Sequence, residues 1–304
     1  MELPTLDQTV LETLKFFSTN PPARFNLDDY QLPFVVGSGN ALGTGRLMFS
    51  GRAAVFADES DFRSTIEAFL PLIDRGLITQ AVVISASGEK DSVWEVELAQ
   101  KHGLETTLLT CQSNSTAATL ADQVLSFRSI AEPYTYNTST YLGMVLATTG
   151  EDPAAIRSMI DGLKFPEHFS RYQSYAFVLP DRFINIAPMV IIKGEELFGA
   201  HVGVRAYTHG HARHAKFVHP WDQEVVISLG EPNRFFGHPD HRWDVSLPEI
   251  ASFGAVVALS YFMCGQIQSV HPPYFMQDIK KFCAVFGPKA YGKDQKFEVI
   301  VPAS

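Results

Sequence analysis

Gln80-Ala81-Val82-Val83-Ile84-Ser85-Ala86-Ser87-Gly88-Glu89-Lys90-Asp91 changes character at its midpoint, and that change decides the fold. Gln80 to Ser85 is almost wholly apolar, which suits a strand buried on both faces. From Asp91 to His102 the spacing is helical, and Gly103 closes the helix. Two hydroxyls, a glycine and a lysine thus lie at the carboxyl end of a strand and at a helix start. Open α/β sheets bind ligands at that place. Hydroxyls and N–H groups converging there make a cradle for a phosphate or another compact anion, with Lys90 adding charge. A plain serine N-cap is the simpler reading of the same residues.

The same alternation extends in both directions. Upstream, Leu32 to Val36 is a short buried strand, Ala41 to Ser50 a helix, Ala53 to Phe56 a strand and Ser60 to Gly76 a helix. Downstream, Glu105 to Thr110 and Val124 to Phe127 are strands and Thr138 to Thr148 a helix. Strands alternating with helices argue for a parallel sheet covered on both sides. Leu6 to Phe17 precedes this unit as an amphipathic helix, stopped at Asn20-Pro21-Pro22. Asp152 to Phe165 reads as a connecting helix. A second round then begins: strand Ser174 to Leu179, helix Pro188 to Ala200, strand Glu224 to Leu229, and a long apolar helix from Pro248 to Gly265. This round is abbreviated. Asn233 to Trp243 reads as a loop, and nothing between Leu229 and Pro248 has room for a helix-plus-strand unit. The expected organisation is an N-terminal helix (1–24), a first domain (25–150), a connecting helix (151–172) and a second, shorter domain with a C-terminal segment (173–304).

Composition narrows the classes. The chain has 304 residues, 46% hydrophobic and 19% charged, an ordinary globular balance. With 24 Lys and Arg against 33 Asp and Glu, the net charge is -9. An acidic chain with no basic run is a poor partner for nucleic acid or an anionic membrane. Cys111, Cys264 and Cys283 are odd in number and widely spaced, so neither a disulfide framework nor a zinc spacing is expected, and a reduced, cytoplasmic setting fits. Glu2, Asp7 and Glu12 precede Lys15, the wrong charge for a secretory signal. The apolar run at Phe253 to Cys264 is too short to span a bilayer and reads as a buried helix.

Two further stretches carry chemistry. Gly37-Ser38-Gly39-Asn40-Ala41-Leu42-Gly43 follows the first strand and opens a helix. Its glycines allow close backbone approach, and the helix start offers N–H donors. The same GxGxxxG spacing, with Asp58 after the next strand, also admits a dinucleotide. Glu132-Pro133 followed by Asn137-Thr138-Ser139-Thr140-Tyr141 adds a hydroxyl run at a helix start. Either ligand contacts or simple capping accounts for it.

Together the three stretches resemble the sugar isomerase (SIS) domain. That family has a Gly-x-Gly turn after strand one, a Ser-x-Ser-Gly loop after strand three, and a Glu…Ser-Thr segment opening the last helix. Residues 30 to 150 carry the likeness. Lys90 stands where the family has a hydroxyl, a departure at the usual phosphate contact that leaves room for a different anion. The resemblance implies two SIS-type three-layer α/β/α domains with parallel sheets, the second abbreviated. It implies an anionic sugar bound by Gly37, Ser38, Gly39, Asn40, Ser85, Ser87, Gly88, Lys90, Ser139 and Thr140. Two such domains in this length are most like the bifunctional phosphoglucose/phosphomannose isomerases. Those families, and the isomerase half of glucosamine-6-phosphate synthase, carry a Glu on the first helix of the second domain and a downstream His-Gly pair. Glu195 or Glu196 matches the first, as proton-shuttling base. His209, with His211 as its alternative, matches the second, as ring-opening acid/base. Lys289 and Lys293 lie where related enzymes keep a late lysine, but their surroundings do not match.

Seven of the ten histidines fall between His201 and His241. His209, His211 and His214 have ligand-like spacing, yet no carboxylate ligand is obvious beside them, and acid/base work is the preferred reading. Aldose–ketose interconversion needs a ring-opening group titrating near neutrality, a carboxylate to move a proton between adjacent carbons, and a grip on the remote tail. It needs no metal and no cofactor, and none is expected. The expected partners are an anionic sugar and, by analogy, a second copy in a homodimer. Deglycation or deamination of an amino-sugar phosphate, a non-catalytic sugar-phosphate sensor, and a dinucleotide-dependent oxidoreductase are the competing readings.

Overall fold

A computed structural model describes residues 3–304, so Met1 and Glu2 of the expected N-terminal segment lie outside the described residues. The chain divides into two compact units. One comprises Thr19–Glu132, Asn137–Gly150 and Ile300–Ser304. The other comprises the chain up to Ser18 together with Pro133–Tyr136 and Glu151–Val299. After α1 (Leu6–Thr19), the first of these units runs β1 (Phe34–Val36), α2 (Asn40–Met48), β2 (Val55–Ala57), α3 (Phe62–Ile73), β3 (Gln80–Ile84), α4 (Asp91–Lys101), β4 (Glu105–Thr110), α5 (Thr116–Leu120) and β5 (Gln123–Ser126). A two-residue strand, β6 (Glu132–Pro133), and α6 (Thr138–Thr149) follow.

The five long strands are parallel in the order β2-β1-β3-β4-β5. Side chains alternate across the sheet as the two-residue period requires. Phe34 and Val36 join a core built with Phe62 and Ile66 of α3 and Val96 and Ala99 of α4. Val35 between them faces Met48 of α2 and Met144 of α6. Helices therefore cover both faces, as the apolar strands demanded. A Cβ on Gly45 would lie 2.5 Å from Val35 Cγ1. Gly45 is thus the glycine that lets α2 sit close to the sheet.

In the other unit, α7 (Pro153–Asp161) leads to β7 (Ser174–Leu179), α8 (Ile186–Phe198), β8 (Gly203–Thr208), α9 (His209–Ala212), β9 (Glu224–Leu229), β10 (Arg242–Val245) and α10 (Phe253–Val270). Its four strands are parallel in the order β10-β9-β7-β8. By chain position this repeats the order 4-3-1-2 of the first sheet. The loop expected at 233–243 needs correction: it ends in β10, paired with β9, so the fourth strand is present and only the preceding helix is missing. Side chains replace that helix. Asn233 Oδ1 accepts the Phe235 and Phe236 N–H groups, and the Arg242 guanidinium donates to the carbonyls of Arg234, Phe236 and Gly237. Those bonds satisfy a backbone that no ladder reaches.

Helix α10 is long and apolar enough to cross a bilayer, but 78% of that window is buried within the protein, the environment of a core helix. The Glu151 carboxylate accepts the Ser252, Gly254 and Ala255 N–H groups at its start. Helix α1 packs on it at Gly265, where a side chain would strike the Asp7 backbone, and Gln266 Nε2 donates to Asp7 Oδ2 at 2.7 Å. This explains why the N-terminal helix belongs with the C-terminal half of the chain.

Glu95 of α4 is 1% exposed and its Oε1 has no hydrogen-bond partner. Burial pushes its carboxyl up to about 8, helped by Asp91, Glu59 and Asp58. The native state therefore keeps a proton that the unfolded chain loses above its ordinary pKa, so this residue erodes stability as pH rises from about 4.5 toward 8. Glu95→Gln is expected to stabilise the protein by about 3 kcal/mol at pH 7, at ~1.4 kcal/mol per pK unit, and by much less at pH 5. Urea unfolding at the two pH values checks this.

Candidate active site

The crevice of the five-stranded unit lies where β1 and β3 pair side by side, Val36 against Val83. From β1 the chain leaves to α2 on one face, and from β3 to α4 on the other. Helices leaving to opposite faces from adjacent strands are the arrangement at whose carboxyl ends open α/β sheets bind ligands. A Cβ on Gly37 would sit 3.0 Å from the Ile84 carbonyl oxygen and 3.0 Å from Ala41 Cβ, so only glycine lets the two loops meet this closely.

Each loop supplies donors. Ser85 Oγ accepts the Gly88 N–H at 3.1 Å, and Ser87 Oγ accepts the Glu89 N–H at 3.3 Å. Both hydroxyls keep their own hydrogen to donate. Gly88, at φ 61°, is pressed against Ser115, leaving no space for a side chain. Glu89 points away from the crevice chemistry: its carboxylate accepts the Thr116 N–H and hydroxyl at the start of α5. Asn40, the first residue of α2, is 6% exposed, and neither Oδ1 nor Nδ2 has a partner. A buried amide left unpaired costs about 1–3 kcal/mol, a cost that a polar ligand would offset.

Lys90 holds φ 62°, ψ -122° at the N-cap of α4. Gly39 holds nearly the same conformation, φ 55°, ψ -118°, at the N-cap of α2. The two helices are thus entered by matching kinks, one made by glycine and the other by a residue for which that backbone is strained.

The third stretch has internal work. The Glu132 carboxylate, 3% exposed, accepts the Thr138 and Ser139 N–H groups and the Ser139 hydroxyl. Thr140 Oγ1 accepts the Cys111 thiol at 3.2 Å. Ser139 and Thr140 are buried; Ser139 is tied to the Glu132 carboxylate that caps α6, and Thr140 to the Cys111 thiol. Asp58, the acid offered to a ribose, accepts the Ser60 N–H within its own turn.

In the four-stranded unit Glu195 is exposed on α8, whereas Glu196 pairs with Lys193 Nζ at 2.7 Å. Lys193 is 1% exposed and also donates to the Thr135 carbonyl at 2.6 Å. Burial raises the Glu196 carboxyl, while the Lys193 ammonium pulls it back. Lys193 was not among the residues singled out from sequence; the signal is its i,i+3 spacing to Glu196 on a helix. His209 is half-buried, with Nε2 3.8 Å from Glu231 Oε2; His211 and His214 are exposed. A Cβ on Gly194 would press on Val204, so Glu195 and Glu196 lie level with the start of β8, while His209 follows its end. Five strand residues at ~3.3 Å each separate these levels by roughly 16 Å. One chain does not bring either glutamate to His209 or His211. Lys289 and Lys293 are exposed. The ligand atoms of metal-binding type that converge, among the described residues, belong to Asp222, His238 and His241, not to His209, His211 and His214.

No family model and no curated protein matches the chain. Solved structures do. The C-terminal domain of glucosamine-fructose-6-phosphate aminotransferase from Francisella tularensis superposes with a TM-score of 0.60 at 14% identity, covering 89% of this chain and 94% of that one. Tagatose-6-phosphate ketose/aldose isomerase from Escherichia coli gives 0.57 at 12%, covering 87% and 90%. Glucosamine-6-phosphate deaminase from Thermotoga maritima gives 0.56 at 12%, covering 87% and 91%. At these identities the likeness establishes the fold alone: an α/β chain with two parallel sheets, matching those structures over most of its length.

The kink at Lys90 reverses the usual ranking of small residues. Lys90→Gly is expected to be about 1 kcal/mol more stable than Lys90→Ala, because alanine keeps the strain that glycine removes. Equal denaturation midpoints for the two would show that the backbone is not held in that conformation.

Proposed function

We propose that the protein is an aldose–ketose isomerase acting on a sugar with an anionic tail, a phosphate first of all. The observation that carries this reading is the pair of loops at the β1/β3 switch, with a buried amide awaiting a partner and a lysine in a strained kink. Gly37, Ser38, Gly39 and Asn40 on one side and Ser85, Ser87, Gly88 and Lys90 on the other hold the tail. Binding energy from that tail fixes the reacting carbons, so the chemistry need not supply its own orientation.

Glu196 is the base. Desolvation raises its affinity for a proton, and Lys193 keeps the carboxylate form accessible, the balance that a group needs to take and return a proton near neutrality. It removes the proton at C2 of the open-chain aldose and returns it at C1 of the enediol. Proton movement between the two oxygens completes the isomerisation with no net uptake. Ring opening is assigned to His209, with His211 as its alternative. Their separation from Glu196 within one chain supports a homodimer in which a second copy supplies the histidine. Similarity to the bifunctional phosphoglucose/phosphomannose isomerases stays part of this reading. Deamination of an amino-sugar phosphate is the second reading, supported by the likeness to the Thermotoga maritima deaminase, and it shares the C2 proton step.

Proton NMR in D2O with glucose 6-phosphate, mannose 6-phosphate, fructose 6-phosphate and glucosamine 6-phosphate tests the proposal. One member should exchange a proton with solvent, at C2 if it is an aldose and at C1 if it is the ketose. Glu196→Gln should slow that exchange about 10²–10⁴-fold while leaving affinity within about threefold. Lys90→Gly should instead weaken affinity about tenfold, the loss of roughly one charge-assisted contact. Ammonia release would select the deaminase reading. Undiminished exchange in Glu196→Gln would remove the proposed base.

A further inference from the structure

We infer that Asp222, His238 and His241 form a binding site for a divalent transition-metal cation of the Zn2+ type, separate from the sugar-tail site. His238-Pro239-Asp240-His241 is a single 3₁₀ turn. Residues three apart eclipse one another in that geometry, so both imidazoles project to one side, with ring centroids 4.8 Å apart. Asp222, just before β9, brings its Oδ1 to 4.0 Å from His238 Nε2. One ligand atom from each of the three lies within 4.8 Å of the others. Ligands on a tetrahedral Zn2+ with bonds of ~2.0–2.1 Å stand about 3.4 Å apart, so side-chain rotation alone closes the set.

The scaffold for these ligands is already fixed. The Arg242 guanidinium binds three carbonyls of the loop 234–237, and Asn233 ties down its start. His238 Nδ1 accepts the Asp240 N–H at 3.3 Å, so the ring proton sits on Nε2; coordination through Nε2 moves that proton to Nδ1, where Asp240 Oδ2, 3.9 Å away, is the nearest carboxylate oxygen. A polar cavity of about 480 Å³ opens beside the group, lined also by Gln173 and Gln223, with room for water to complete the coordination. Two imidazoles with one carboxylate favour Zn2+, Ni2+ or Cu2+ over Mg2+ or Ca2+.

Arg171 opposes the cation. Its Nη2 lies 3.3 Å from His241 Nε2, and arginine can only donate, so that ring nitrogen accepts and the proton sits on Nδ1, which is buried without a partner. Metal binding requires Arg171 to swing out, and its side chain is exposed enough to do so. The ion then replaces one guanidinium contact with a bridge between the segments that enter β9 and β10. It clips the loop that stands in for the missing helix. The site is structural, at the edge where the strands begin, whereas His209 follows the end of β8.

The test uses the full-length protein, stripped with EDTA and dialysed, titrated with ZnCl2 by calorimetry and by thermal shift. One equivalent should bind with a dissociation constant of about 10 µM or tighter and raise the melting temperature, as mass action requires. His238→Ala, His241→Ala and Asp222→Asn should each weaken binding at least tenfold. Arg171→Ala should tighten it, a sign that loss of a random surface contact would not produce. His214→Ala, at an exposed histidine outside the set, should leave zinc binding unchanged. Melting temperatures in EDTA within 2 °C of the parent would show that the variants fold. No saturable binding below about 100 µM, or equal loss in His214→Ala and His238→Ala, would overturn the site and leave only adventitious histidine binding.

Discussion

The parallel pairing of β1 with β3 is the constraint on which the rest of the five-stranded unit depends. It puts the loop after Val36 beside the loop after Ile84, and it sends the two following helices to opposite faces. Gly37 is the residue that tolerates the resulting closeness, since any side chain would press on the Ile84 carbonyl. The donors then follow from elementary needs of the chain. Helix starts leave N–H groups without internal partners, and the serines of Ser85-Ala86-Ser87-Gly88 fold back to accept some of them. The Asn40 amide is left buried without a partner, and the Ser85 and Ser87 hydroxyls keep a hydrogen to donate.

The four-stranded sheet repeats the topology but not the chemistry. Its equivalent loops carry Pro180-Asp181 after β7 and Gly230-Glu231 after β9. Asp181 accepts the Gly210 N–H at 2.6 Å, and that bond, with the Thr208 hydroxyl, holds its carboxyl below the usual range. A fixed carboxylate in that position repels an anion. One repeat therefore carries serines, glycines and a lysine in these loops, and the other an acidic rim, a Lys193–Glu196 pair and a histidine-bearing turn. The loops differ while the strand order is shared.

The strands of the first sheet were legible because each is a short apolar run buried on both faces, bounded by glycine, serine or charge. Strand β8, Gly203–Thr208, was not, since it lies at a sheet edge and carries Arg205 and two further half-exposed residues where a central strand has apolar ones. β10 was hidden by the Pro, His and Asp that precede it, and by the assumption that a parallel strand must be reached through a helix. The short helix α5 depends on the Glu89 carboxylate and Ser115, partners its own sequence does not announce. The two serine and glycine loops were readable as motifs. The unpaired burial of Asn40, the positive φ of Lys90 and the partnership of Lys193 with Glu196 are three-dimensional facts. No spacing rule distinguishes Glu196 from Glu195; burial does. Ser139 and Thr140 belong to a hydroxyl run whose internal partners, Glu132 and Cys111, no motif announces.

The central claim is that the crevice at the ends of β1 and β3 holds the charged end of the sugar. A crystal of the protein soaked with glucose 6-phosphate addresses it most directly. The account predicts phosphate density bounded by Ser38–Asn40 and Ser85–Lys90, with the Asn40 amide turned onto a ligand oxygen. Ordered phosphate lodged in another cleft, with this crevice filled only by water, would contradict it.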